Sequence, residues 1–382
     1  MFESPPFWMW IVGFLLVLGP LVTLHELGHY LVGRWFGVKA DAFSVGFGSE
    51  LAGWTDRRGT RWKLSALPLG GYVKFAGDMN PASQPSEEWL ALPEVERAQT
   101  FQAATLWQKA LIVLAGPVMN FLVAIAILAA FNLAYGKPVP ADPEQESIVA
   151  AFTEGSPAQA AGLRVGDRIV AIDGEAMESF REVQRRIQIY PDTPLALTIQ
   201  RSGERLTIPV TTGSHEMRDR FGNATRIGLI GIEAQPSETR YVPVDPVEAV
   251  VLGIGQTGET LQLMVTGIWQ IIAGYRSVDE LGGPIKIAKF SGEQLSLGWQ
   301  QFFTFAALIS INLAFINLLP IPALDGGHLA FYAAEAIRRR PASSRSQDWA
   351  FRTGIGFVLA LMLFVTINDI VSLPVFGSAA EN

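Results

Sequence analysis

Three stretches of this chain, Phe7–Leu24, Ala110–Tyr135 and Phe302–Ile321, contain no charged residue. A fourth, Thr353 to about Phe376, is broken only by Asp369 near its far end. Each is long enough to cross the ~30 Å hydrocarbon core of a bilayer as a helix. In that medium a segment must satisfy its own backbone hydrogen bonds, so a chain with four such segments is constrained to a bundle of membrane helices before any motif is read. Composition agrees. Charged residues make up 17% of the 382, against about 25% in soluble domains, and mean hydropathy is +0.27. A signal peptide is a poor reading of the first stretch, because no Lys or Arg precedes it and no small-residue cleavage site follows.

Val247–Tyr275 is also apolar, but Glu248 and Glu259 lie inside it, and Val247, Ile254, Leu261, Ile268 and Tyr275 recur on one side. One-sided periodicity predicts an amphipathic helix lying on the membrane or on the protein rather than a fifth span. Short-loop basic residues set the orientation. Arg34, Lys39, Arg57, Arg58, Arg61, Lys63, Lys74, Arg97 and Lys109 fall between the first two spans, and Arg338, Arg339, Arg340, Arg345 and Arg352 between the last two. Both segments are therefore expected in the cytoplasm, with both termini and the long segment from Gly136 to about Gln301 outside. Ser83–Thr100, within the first cytoplasmic segment, reads as disorder or a mobile gate. A net charge of −7 leaves no basic face for nucleic acid. The absence of cysteine removes disulfides, thiol nucleophiles and Cys-ligated zinc together.

The chemistry is concentrated in His25-Glu26-Leu27-Gly28-His29. On a helix two histidines four residues apart lie about 40° apart on one face. They can share one zinc, with Glu26 beside them as a general base. Ionisable residues at such a depth are functional candidates by default, the alternative being two interfacial histidines at a polar helix end. A catalytic zinc needs a third protein ligand, and the candidate is Asp325 in Asn317–His328. With four spans, the first and third run the same way, so His25 and Asp325 reach similar depth near the cytoplasmic face. Asp325-Gly326-Gly327 also reads as an ordinary turn with a capping Asp. His328 is a competing ligand or a capping group. A serine-type site would need a His base elsewhere in the spans, and an aspartyl site would have to use Asp325 with Asp369; neither explains the histidine pair.

These elements resemble the site-2 protease family of intramembrane zinc metalloproteases, most closely its bacterial sigma-E-regulating members. Besides the histidine motif, the resemblance is carried by Gly70-Gly71-Tyr72-Val73-Lys74, Gly116-Pro117-Val118-Met119-Asn120-Phe121, Gly282-Gly283-Pro284-Ile285 and Asn317–Gly327. It implies that His25, His29 and Asp325 hold zinc, that Glu26 is the base, and that Asn312 and Asn317 lie near substrate. Bonding between helices is the other reading of those two asparagines. The implied activity is cleavage within transmembrane segments of single-pass proteins, such as anti-sigma factors or remnant signal peptides, in the bacterial inner membrane. A non-catalytic membrane-anchored scaffold is the alternative. A transporter lacks support, since there is no inverted repeat.

The expected architecture is a polytopic α-helical membrane protein with four transmembrane helices, a membrane-associated β-hairpin or sheet and one periplasmic α+β PDZ domain. Residues 1–136 would carry the first two spans and the β segment (about 40–76). Residues 145–235 would form the PDZ domain, 243–295 an amphipathic helical segment, and 300–382 the last two spans. The PDZ signature is Glu154–Ala158, Ala161–Leu163, Val165–Ile169 and Ile172–Gly174, followed by a helix over Ser179–Ile189 and strands over Leu195–Arg201 and Arg205–Val210. Better-known members carry two such modules, so a two-module gate does not carry over. In the β segment, Gly71, Tyr72, Val73 and Lys74 either offer an exposed edge that pairs with an extended substrate or belong to a closed sheet. The PDZ module would read peptide C-termini or act as a size filter.

Overall fold

A computed structural model describes residues 5–77, 93–140, 148–177, 179–218, 224–234, 239–274, 278, 282–340 and 344–371. The chain opens with helix α1 (Phe7–Trp35), strands β1 (Ala40–Thr55) and β2 (Arg61–Phe75), and helix α2 (Leu106–Tyr135). A strand-rich segment follows: β3 (Lys137–Pro140), β4 (Val149–Phe152), helix α3 (Pro157–Ala160), β5 (Arg168–Ile172), β6 (Glu175–Ala176) and helix α4 (Phe180–Gln188). It continues with β7 (Pro194–Arg201), β8 (Glu204–Thr211), β9 (Gly213–Arg218), β10 (Ala224–Leu229), β11 (Ile232–Ala234) and β12 (Thr239–Val242). Helices α5 (Pro246–Ile272), α6 (Pro284–Ser296), α7 (Trp299–Leu318), α8 (Asp325–Arg338) and α9 (Ser344–Val371) complete it.

Among the described residues four helices are long and apolar enough to cross a membrane: Phe7–Trp35, Leu106–Tyr135, Trp299–Leu318 and Gln347–Val371. They are the four expected from the sequence, and α5 is not among them. The third stops at Leu318, three residues before the apolar run does, because Pro320 lacks an N–H and forces Leu319 into an extended conformation (φ −63°, ψ 140°). The expected continuation of the last span to Phe376 lies outside the described residues. So does residues 83–92 of the stretch expected to be disordered or a gate; Glu94–Arg97 in the same stretch forms one helical turn.

The described residues divide into two compact units, the larger drawn from those within 5–129, 250–264 and 278–371, the smaller from those within 130–249 and 265–274. In the larger unit β1 and β2 are too long to pair straight. β1 bends at Gly46 and Gly48 (φ +89° each) and β2 near Gly70 (φ +138°). The two strands thereby make four rows in the order 50–55, 61–65, 40–45 and 71–75. Phe43 and Phe75 anchor this sheet in a buried cluster with Tyr30 of α1 and Ile112 and Val113 of α2. Val17 and Leu21 of α1 pack on Phe302, Ala306 and Ile309 of α7, while Ala124 of α2 meets Ala307 and Ile311 of α7. Asp369, the carboxylate inside the last apolar run, is fully buried and accepts from the N–H groups of Gly283 (3.0 Å) and Lys286 (2.9 Å), so it caps the start of α6. That employment accounts for an otherwise costly buried acid in an apolar run.

The smaller unit contains a four-stranded sheet in the order β6-β5-β7-β8 and a second pairing of β4 with β11. Its core is Val149, Ala158, Leu163, Ile169, Ile172, Val183, Ile187, Leu195, Leu197, Ile199, Val210 and Ile230. The period-two alternation of β7 points Leu195, Leu197 and Ile199 inward. Helix α4 starts where Ser179 accepts from Glu182 N–H, and α3 where Ser156 accepts from Gln159 N–H. Residues 145–147 and 235, the ends of the domain expected from the sequence, lie outside the described residues.

A buried carboxylate ties β5 to β7. Arg201 donates to Asp167 through Nε (2.7 Å) and Nη2 (2.6 Å), and Arg164 N–H adds a third bond at 2.8 Å. Burial alone would raise the Asp167 carboxyl. The Arg201 guanidinium and the Arg164 N–H outweigh it and hold the group below the usual carboxylate range. Stability from a depressed carboxylate is complete above its unfolded value near pH 4 and is lost as pH falls through the lowered folded value. Asp167→Asn should therefore cost about 1–3 kcal/mol near neutral pH. Hydrogen exchange of β5 and β7 amides should show it, with the difference from wild type shrinking below about pH 4.

Candidate metal centre

His25 and His29 sit one turn apart on α1, both buried (7% and 8% exposed), their rings nearly perpendicular with centroids 4.7 Å apart. Their Nε2 atoms are 3.1 Å apart, and Asp325 Oδ2 lies 3.1 Å from His25 Nε2 and 3.5 Å from His29 Nε2. Among the described residues these three form the group able to hold a metal ion. A tetrahedral zinc with bonds of about 2.0–2.1 Å has ligand–ligand edges of roughly 3.3–3.4 Å, so the triangle fits that ion and leaves a fourth corner open. Donor chemistry fits as well, two imidazole nitrogens and one carboxylate oxygen that has no hydrogen-bond partner although buried.

Asp325 reaches the histidines because the turn before it is tightly determined. Leu324, not Asp325, is the N-cap of α8, so the capping role open to Asp325 in the sequence is not the one it takes. Ala323 adopts φ +93°, rare for a residue with a side chain. The turn is clamped on both sides. A Cβ on Gly326 would run into the Leu318 and Leu319 carbonyls. One on Gly354 of α9 would run into the Pro322 carbonyl, with its carbon 2.6 Å away. His328 lies outside the triad; its ring meets Tyr332 and Phe351, and burial holds its imidazole below the usual histidine range.

The wall facing the histidines is α2. His29 Nδ1–H donates to Ile112 O at 2.8 Å, which leaves Nε2 with its lone pair toward Asp325. Pro117, one turn on, has no N–H to spend on Val113 O, so the carbonyls of this turn are not all used within the helix. Gly116 lies against both rings: a Cβ there would overlap His29 Nε2 and come within 2.8 Å of His25 Cε1. Gly28 makes the reciprocal approach to the Ala115 carbonyl. Sequence reasoning assigned Ile112 and Gly116 no role. The available signal was spacing: 112, 116 and 120 form one stripe of α2, at the same interval as the two histidines on α1.

Glu26 is half-buried, and its Oε2 accepts from Val73 N–H at 3.0 Å. Residues 71–75 are an outermost row of the sheet, so the segment singled out from the sequence is an edge, and its open side meets Glu26. Gly71 lies flat against the neighbouring row, where a Cβ would be 2.5 Å from Ser44 O. Tyr72 stacks on Phe47, and Lys74 is exposed. Asn312 and Asn317 are half-buried on α7, outside the triad, and neither side chain bonds to another described residue. Gly354→Ala should displace the turn that carries Asp325 and lower zinc affinity roughly 10–100-fold. Gly356→Ala, where a Cβ meets nothing within 4 Å, should leave it unchanged. A chelator-competition titration of the two purified variants checks this.

Residues 13–361 match the profile of peptidase family M50. The chain is 47% identical over 367 residues (95% of this chain, 96% of that one) to Atu1380 of Agrobacterium fabrum, named as a candidate zinc metalloprotease. It is 44% identical over 360 residues (94% and 95%) to R01501 of Rhizobium meliloti, named in the same way. It is 32% identical over 394 residues (97% of each) to the metalloprotease MmpA of Caulobacter vibrioides. Among solved structures, the PDZ domain of an SdrC-like protein from Listeria monocytogenes is 22% identical over 24% of this chain and 87% of that one. Its TM-score of 0.19 is below the level at which a shared fold follows. With a family match across most of its length and relatives of this identity, the chain belongs to peptidase family M50, the site-2 protease family of zinc metalloproteases.

Proposed function

We propose that the protein is an intramembrane endopeptidase that cuts transmembrane segments of single-pass membrane proteins, with His25, His29 and Asp325 holding zinc and Glu26 as the general base. The observation that carries this reading is the convergence of three ligand atoms beside a carboxylate that is itself bonded to a sheet edge. Zinc bound there would supply Lewis-acid activation of water and of the scissile carbonyl. Glu26 accepts the proton of the attacking water and passes it to the leaving amine. A helical substrate hides its carbonyls in its own hydrogen bonds, so the scissile stretch must be unwound and held extended. Residues 71–75 hold it by strand addition, with the Val73 N–H exchanging Glu26 for a substrate carbonyl. The Asn312 and Asn317 amides, free of partners among the described residues, bond the unwound backbone. Gly and Pro in the substrate lower the cost of unwinding.

We place the chain in the bacterial inner membrane with both termini in the periplasm and the metal site near the cytoplasmic face, on the distribution of Arg and Lys in the short segments. Residues 145–235 are read as one periplasmic PDZ module that filters substrates by size or receives freshly cut C-termini, and 243–295 as a segment along the membrane surface. Substrates of this kind include anti-sigma factors and remnant signal peptides in regulated intramembrane proteolysis.

Glu26→Gln should retain zinc and still bind substrate, but lose about 10²–10⁴-fold in cleavage rate. Co-expression with tagged single-pass membrane proteins measures this, and full cleavage by the variant would count against the assignment. Deleting residues 147–232 should allow cleavage of substrates that still carry a large ectodomain. An unchanged substrate range on immunoblots would remove the filter from the scheme.

A further inference from the structure

Asn120 is fully buried on α2, one turn beyond Gly116, and its side chain reaches the one imidazole nitrogen of the metal centre not yet given a role. Its amide Nδ2 lies 3.3 Å from His25 Nδ1, while its Oδ1 is buried and has no partner. The residue is held there from behind: Ser310 of α7, also fully buried, donates its hydroxyl to the Asn120 backbone carbonyl at 2.7 Å.

The two orientations of this amide select different forms of His25. With Nδ2 toward the ring, Nδ1 must accept and the imidazole carries its hydrogen on Nε2, the nitrogen that faces His29 Nε2 and Asp325 Oδ2, 3.1 Å from each. A half-turn of the amide, with no movement of the backbone, puts Oδ1 against the ring instead. Nδ1 then carries the hydrogen and donates it, and the Nε2 lone pair is free for a cation. One end of the amide lacks a partner in either orientation, so the occupant of Nε2 decides between them. His29 already has the second arrangement, through Ile112 O. Acceptors for both rings thus lie on one stripe of α2, residues 112 and 120, with Gly116 between them giving the rings room.

We propose that Asn120 is a positioning residue of the metal centre: its Oδ1 accepts the Nδ1–H of His25 and so fixes the tautomer and ring plane that present Nε2 to zinc. The proposal rests on His25 being a zinc ligand. Outer-sphere acceptors of this sort raise the basicity of the ligand, and their loss lowers metal affinity about 10–100-fold. A residue that only packed α2 against α7 would have no such effect on the metal.

The test is the zinc affinity of the full chain purified in detergent, by competition with a chromogenic chelator. Asn120→Leu should bind zinc 10–100-fold more weakly than wild type, and Asn120→Asp, which can only accept, should stay within about threefold. Ser310→Ala loosens the same helix contact without altering the amide and should also stay within about threefold. Cobalt(II) absorption should show a distorted tetrahedral band in the leucine variant and a band like wild type in the aspartate variant. Wild-type affinity in Asn120→Leu, or no recovery in Asn120→Asp, overturns the proposal. If the leucine variant does not fold, Asn120→Asp decides alone, a tenfold loss being fatal. His25→Ala separates the two levels. If it leaves zinc binding intact, the triad itself is misassigned; if it abolishes binding while Asn120→Leu does not, only the role of Asn120 fails.

Discussion

The centre depends on the close approach of α1 and α2, which is possible because each helix carries a glycine where it meets the other. Gly28 lies on the Ala115 carbonyl and Gly116 on the two imidazoles. Small residues at such crossings let helices pack in a medium that offers no hydrophobic drive between them. With the backbones this near, α2 can bring a main-chain carbonyl within 2.8 Å of His29 Nδ1. The same side of α1 holds the two Nε2 atoms 3.1 Å apart, near the separation a single small cation requires.

Several of the polar groups buried among the described helices are matched by a specific partner. Glu26 is met by the Val73 N–H, His29 by Ile112 O, Ser310 by the Asn120 carbonyl and Asp369 by two N–H groups of α6. Unpaired, each would cost several kcal/mol away from water. Two exceptions are Asn120, whose Oδ1 has no partner, and Asp325, whose Oδ2 is buried without a hydrogen bond. Its turn is held by neighbouring backbone instead, with Ala323 at a positive φ and Gly354 pressed onto Pro322. Strain kept where a ligand atom must point is the usual signature of a site built for a purpose other than stability.

Much of this was legible in the sequence. The four apolar runs mark the four helices long and apolar enough to cross a membrane, and the polar residues within Val247–Tyr275, Gln256, Glu259, Gln262 and Gln270 among them, leave the equally long α5 outside that set. The histidine spacing locates one half of the centre because helical geometry is local. Asp325 is harder, since it comes from a turn nearly 300 residues away (325 − 29 = 296), and only matched depth and the family resemblance of Asn317–Gly327 linked it to the pair. Packing was not legible. Nothing in Gly354 distinguishes it from a glycine that faces open space, such as Gly356, because the difference lies in which backbone is opposite. The four-row sheet was hidden for a related reason: alternation reveals strands but not that two of them double back at Gly46, Gly48 and Gly70. Asp369 looked like an intruder in a span because the helix start it caps is more than 80 residues earlier in the chain.

Three of the crowded glycines also bear on how experiments on this protein should be read. Gly28, Gly116 and Gly354 touch no reacting atom, yet any side chain there must push a helix or a turn away from the ligands. A mutational screen scored by cleavage would rank them with the histidines, and would assign chemistry to residues whose contribution is an absence of volume. Metal content sorts them no better, because it falls in both cases. Only compensating truncations in the helix opposite would tell a ligand from a spacer, since a missing imidazole cannot be restored by making room.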